Sequence, residues 1–120
     1  MDAIVILRGE GEHLDREHGS VRILAELPEH EVLDLTYDDS WEGVDPHTHD
    51  DHVDSFLVLE GEVEFFLEGE WRRYGPGGFV AVPRNVVHGF RPATRMRVLN
   101  IHAPNVGFIA RLREQYQAPR

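Results

Sequence analysis

Pro46-His47-Thr48-His49 puts two imidazoles two residues apart. In extended backbone the side chains of residues i and i+2 leave the same face, so both rings can reach one ion. A carboxylate, Asp54, comes after the turn-like Asp50-Asp51-His52-Val53, and a third imidazole, His88, stands just after Pro83-Arg84-Asn85. Three imidazoles and a carboxylate suit a borderline divalent ion such as iron, manganese, nickel or zinc. His52 is the rival fourth donor, in the pattern His47-x-His49-x-x-His52. The chain has no cysteine, so thiolate ligands, disulfides and a cysteine nucleophile are excluded. A lone His-x-His pair is weak evidence, because such pairs occur by chance in histidine-rich loops. Its weight comes from the surrounding sequence.

The elements that must hold these residues are mostly short and β-prone, separated by Gly, Pro and Asp. Val21–Leu27 and Val32–Tyr37 have strand composition, and Leu33, Leu35 and Tyr37 alternate with Asp34 and Thr36. Asp38–Pro46 is rich in turn residues and reads as a loop, and the polar stretch Gly9–Ser20 as a flexible one. Phe56–Leu59, apolar on both faces, reads as a buried strand. Val63–Leu67, Trp71–Tyr74, Phe79–Val82, Val86–Phe90 and Arg95–His102 give further strands, with Gly75-Pro76-Gly77-Gly78 a chain reversal. After Pro104, Asn105 is a candidate helix cap, and Phe108, Leu112 and Tyr116 recur at helical spacing. Many short strands with regular turns predict a closed or sandwich-like antiparallel architecture carrying one short C-terminal helix. Counting by twos from Asp54 points Phe56 and Val58 inward, and counting from His88 points Val86 and Phe90 inward.

The two histidine segments resemble the motifs of the cupin family, in particular its small, single-domain, quercetinase-type members. Gly43 precedes His47-Thr48-His49, four residues lead to Asp54, and six more lead to Gly61. Gly77 is followed after five residues by Pro83-Arg84-Asn85, then two valines and His88. The motifs occupy about 43–61 and 77–88. The chain departs from the family in having Asp54 in place of the usual Glu and Asn85 in place of Gly. It also has only three residues between Gly43 and His47, and Pro92 near the place of a terminal Asn. The resemblance implies an all-β double-stranded β-helix, or jelly-roll, barrel over 1–120. It implies one divalent transition metal (Fe, Mn, Ni or Zn) held by His47, His49, Asp54 and His88, and a homodimer formed through sheet edges or exchanged N-terminal strands. Ala3–Leu7 is the candidate for that contact, since covering an exposed edge is a physical reason to pair.

At 41% hydrophobic and 28% charged, the 120 residues suit one globular domain. A formal charge of −10 disfavours phosphate backbones and anionic lipid, so nucleic acid and membrane are not expected partners. Ala3-Ile4-Val5-Ile6-Leu7 is too short for an export signal and lacks a preceding basic residue, so a cytoplasmic location is expected. The expected function is a metal-dependent, dioxygenase-like enzyme acting on a small organic molecule in a largely apolar barrel. The alternatives are a non-catalytic binding or sensing module, a zinc-type isomerase or cyclase, and a barrel with vestigial metal binding. Glu62, Glu64 and Tyr74 are acid/base candidates but are more simply surface residues, as are the basic residues Arg95 and Arg97. His13, His18 and His30 read as surface residues, and His102 either as an inward partner of Asn100 or as a satisfied core residue.

Overall fold

The computed structural model describes residues 2–117. Within them the strands are β1 (Glu12–Arg16), β2 (Gly19–Leu27), β3 (His30–Tyr37), β4 (Val44–His47) and β5 (Val53–Glu60). They continue as β6 (Val63–Leu67), β7 (Glu70–Tyr74), β8 (Phe79–Val82), β9 (His88–Pro92) and β10 (Met96–Ala103), followed by α1 (Phe108–Gln117). One sheet runs β1-β2-β3-β10-β5-β8, the other β4-β9-β6-β7, and every pairing is antiparallel. This is the all-β jelly roll with a short C-terminal helix that the strand pattern and the resemblance implied. Among the described residues, no helix is long and apolar enough to cross a membrane.

The core follows from period-two alternation. Phe56 and Val58 of β5, Val98 of β10 and Leu33 and Leu35 of β3 turn inward from one sheet. Phe65 and Phe90 come from the other, and the Phe56 ring lies 5.1 Å from Phe65 and 4.9 Å from Phe90. Such offset aromatic contacts add to what area burial alone supplies. Ile109 and Leu112 fix α1 to this core. The side chain of Tyr116, third in the expected stripe, lies outside the described residues.

Three expectations are corrected. Gly9–Ser20 is not a flexible loop, because β1 forms a hairpin with β2 and Leu14, paired with Val21, is buried. One apolar residue among polar ones leaves almost no periodic signal for an edge strand. Asp38–Pro46 is a loop only as far as Gly43, since β4 begins at Val44. Val86 does not point inward. It is 40% exposed, because the Pro83 turn still holds it and β9 begins only at His88.

Asn105 is also not the main cap of α1. Its Oδ1 accepts the Gly107 N–H at 2.7 Å. The helix start is held by Glu31, a fully buried carboxylate on β3 that accepts N–H groups from Val106, Phe108 and Ile109. It also accepts the Nδ1–H of His102 at 3.0 Å. Free N–H groups at a helix start need acceptors, and an anion there is favoured. Burial would raise the Glu31 pKa, but these donors outweigh it and hold the carboxyl below the usual glutamate range. A depressed carboxylate stabilises the fold above its unfolded pKa, and that contribution is lost as pH falls through the folded value. Glu31→Ala should lower the unfolding free energy in urea by about 3 kcal/mol, because several buried donors lose their acceptor. Glu31→Gln should lose less at neutral pH and should flatten the acid limb of a stability–pH curve.

Candidate metal centre

His47 ends β4 and stands in register with His88, the first residue of β9. Two glycines permit this close approach. A Cβ on Gly89 would lie 2.8 Å from the Val44 carbonyl oxygen. One on Gly43, at φ +84, would lie 2.3 Å from that of Phe90. A side chain at either position would push β4 off β9. His49 follows just past the end of β4, and its carbonyl oxygen accepts the Asn85 N–H at 2.6 Å. The turn that leads to His88 is therefore tied to the backbone of His49.

The rings converge. His47 Nε2 and His49 Nε2 are 2.9 Å apart, and the His88 ring centroid lies 4.5 Å from that of His47 and 5.1 Å from that of His49. Asp54, on β5, places Oδ2 3.2 Å from His88 Nε2 and 3.7 Å from His49 Nε2. His47 Nδ1–H donates to the Asp45 carbonyl at 2.7 Å, and His88 Nδ1–H donates to that of Val86 at 2.9 Å. In a neutral His47 this bond leaves the lone pair on Nε2, as metal-binding imidazoles require, while His88 turns its Nε2 to the Asp54 carboxylate. The donor atoms of His47, His49 and His88 lie within 4.8 Å of one another, as do those of His49, His52 and Asp54. The buried His/Asp group could hold a metal ion, and its imidazole and carboxylate donors suit a divalent transition metal.

The electrostatics agree. Burial, and then the neighbouring rings of His52 and His47, push His49 down to about 4, so it is a neutral donor near neutrality. Burial opposes charge on both Asp54 and His88, but their mutual hydrogen bond overcomes it. Asp54, helped by His102 and Asn100, is held below the usual aspartate range, and His88 above the usual histidine range. The Asn100 amide donates to Asp54 Oδ1 at 2.8 Å, and His102 Nε2 lies 3.5 Å from the same oxygen.

His47, His49, His52, Asp54, Asn100 and His102 sit in one wall of an open cavity of about 500 Å³ between the sheets, with His88 buried behind them. Its apolar lining includes Leu35, Trp41, Phe56 and Phe90, and Arg16 and Arg111 also contribute. Trp41, in the expected loop Asp38–Pro46, stacks on Tyr37 at 3.9 Å between centroids. A tryptophan amid Asp, Ser and Gly was the sequence signal that this loop covers something apolar. His102 proves to be both inward-facing and satisfied. Of the histidines read as surface, His18 bonds Ser40 and lines the cavity. Glu62 and Glu64 instead pair with Arg73 and Arg91, and Arg97 with Asp34 and Glu60. None of these, nor Tyr74 or Arg95, lines the cavity. Glu31 and the two cavity arginines were the residues that sequence reasoning missed.

The profile of the family described as "Cupin domain" matches residues 35–102, more than half of the chain. An uncharacterised protein of Aquifex aeolicus is 37% identical over 54 residues, covering 45% of each chain. Quercetin 2,3-dioxygenase of Bacillus subtilis is 38% identical over 45 residues, which are 38% of this chain and 13% of that enzyme. The chain thus spans less than half the length of either relative. Among solved structures, KdgF from Halomonas sp. superposes with a TM-score of 0.73 at 26% identity, over 82% of this chain and 93% of that one.

Asn85 is a sensitive joint in this geometry, with φ at 66. Asn85→Ala should cost about 1 kcal/mol of unfolding free energy, because asparagine occupies the left-handed region more readily than alanine. Asn85→Gly should cost less, as measured by urea denaturation.

Proposed function

This chain belongs to the cupin domain family, and on that premise we propose that it is a metal-dependent enzyme acting on a small organic molecule by dioxygenase-like chemistry. The observation that carries the reading is the convergence of three imidazoles and the Asp54 carboxylate at an open, half-apolar cavity of about 500 Å³, whose wall includes His47, His49 and Asp54. His47, His49, Asp54 and His88 are the ligands. An iron, manganese or nickel ion held there supplies a Lewis-acidic, redox-capable centre with room left for a substrate oxygen. Asn100 and His102 orient Asp54, while Trp41, Phe56 and Phe90 receive the apolar body of the substrate and exclude water. O₂ is the co-reactant, and both of its atoms enter the product. The quercetin-acting relative supports the oxidative version. Residues 1–120 act as one domain in this reading, with small molecules as partners and a cytoplasmic setting. The charge of −10 supports excluding nucleic acid and anionic membrane.

The test is elemental analysis of protein purified without added metal, for wild type, His49→Ala and Asp54→Ala. One equivalent of iron, manganese or nickel is expected in wild type and should be lost in His49→Ala. An oxygen electrode should then record uptake with an enolisable aromatic such as quercetin. Zinc without oxygen uptake would replace the oxidative version with Lewis-acid isomerisation or cyclisation. A ligand bound without turnover would make the chain a binding module. Metal retained in Asp54→Ala removes Asp54 from the ligand set. No metal in wild type, and none taken up on reconstitution, sinks the reading.

The same proposal includes a homodimer, and it is the outer face of the larger sheet that favours one. Leu57 stands in register with Phe79 on one side and Leu99 on the other, and Ile101 with Val32. These residues alternate with the buried ones and so face outward, and Phe79 is 57% exposed. Such a row on an open sheet face suits a second copy related by a two-fold axis, with Ile4–Leu7 of each chain adding apolar cover. Light scattering should give a dimer mass for wild type and a monomer for Leu57→Glu/Leu99→Glu. A monomeric wild type at micromolar concentration would rule this out.

A further inference from the structure

The family pattern places His52 in the connection between β4 and β5, outside the ligand set. Its side chain is nevertheless only 4% exposed. Its ring lies 4.3 Å from that of His49 and 4.9 Å from that of His102, on the cavity side. Nδ1–H donates to Asp51 Oδ1 at 2.8 Å, which fixes the tautomer and leaves the Nε2 lone pair free. Among the described residues, that Nε2 is the one buried side-chain polar atom without a hydrogen-bond partner. Burying a polar atom without a partner is unfavourable, and sites with such an atom usually have a use for it.

The missing partner is identified by the neighbours. His52, His49 and Asp54 bring their donor atoms within 4.8 Å of one another, and His49 also belongs to the set with His47 and His88. A carboxylate on Nδ1 is the support that metal-bound imidazoles commonly have, and here Asp51 supplies it. A hydrogen-bond donor could also satisfy Nε2, but the neighbouring rings of His49 and His102 make no hydrogen bond to it. We propose that His52 is a fourth imidazole ligand of the ion held at this site, with Asp51 as its positioning residue. The inference rests on the metal-binding reading above and extends it. With His52 engaged, five protein donors surround the ion, and a six-coordinate ion keeps a single position for an outside ligand. Substrate would then bind through one oxygen atom unless His52 lets go.

The test uses the full chain, stripped with EDTA and reloaded with Co(II) or Cu(II), for wild type, His52→Leu and Asp51→Asn. X-ray absorption and pulsed EPR on the loaded proteins should count four imidazoles in wild type and three in His52→Leu. The metal dissociation constant of His52→Leu should rise at least about tenfold, and that of Asp51→Asn by less. Melting temperature supplies a check that a packing role would not reproduce. His52→Leu should melt at or above wild type in EDTA, where the orphan nitrogen is removed, and below it when metal is present. Three imidazoles in both proteins with equal affinity would overturn the proposal and leave the three-histidine site intact. Equal metal loading of His49→Ala and wild type would instead show that the underlying site is wrong. If His52→Leu fails to fold, the imidazole count in wild type and the affinity of Asp51→Asn still decide.

Discussion

Glu31 and Asp54 are carboxylates taken out of water, and much of the interior is arranged around the donors they require. They lie in one cross-strand row, with Glu31 on β3 opposite His102 on β10, which in turn is opposite Asp54 on β5. His102 bonds one carboxylate through Nδ1 and faces the other through Nε2. A buried carboxylate is tolerated only when well supplied with hydrogen bonds or opposite charge. Glu31 draws the start of α1 onto the barrel for this purpose, and Asp54 draws in Asn100 and His88. One row of three residues thus places a helix, a strand pair and the histidine cluster relative to one another.

Along the same strands the inner face changes character. The next inward row, Leu33, Asn100 and Phe56, keeps one polar group, and the row of Leu35, Val98 and Val58 keeps none. The barrel is accordingly wet and ligating at one end and closed by packed hydrocarbon at the other. Aromatic packing of Phe56, Phe65 and Phe90 fills the transition. That gradient gives the cavity both a polar handle and an apolar wall without any long loop being needed to build it.

Most strands and the His47–His49 pair were legible from short-range facts, and the resemblance of the two motifs to the cupin family implied that Asp54 and His88 join them. The short-range facts are period-two alternation, turn residues between strands, and a histidine pair spaced by two. What could not be read depends on register between distant segments. Glu31 is an ordinary polar residue in the sequence, and only its pairing with His102 makes it a buried helix anchor. Val86 failed for a local reason. Alternation was counted back through residues that the Pro83 turn still controls, where strand periodicity does not hold. The polar strand β1 escaped because its single buried residue, Leu14, carries no period of its own.

The imidazoles of the cluster are crowded together. Four imidazoles, those of His47, His49, His52 and His88, lie with neighbouring centroids 4.3 to 5.1 Å apart. Burial, and then the charge that would be shared with His52 and His47, bring His49 down to about 4, while the bond to Asp54 holds His88 above the usual histidine range. The Asp54 carboxylate stays ionised among them. A divalent cation placed among these rings would satisfy several ring nitrogens and the Asp54 carboxylate at once. The hydrogen bonds from Nδ1 to Asp45, Asp51 and Val86 hold that arrangement before any ion arrives. Little of the binding free energy is then needed to turn the rings, and the selectivity of the site rests on the number and geometry of its donors.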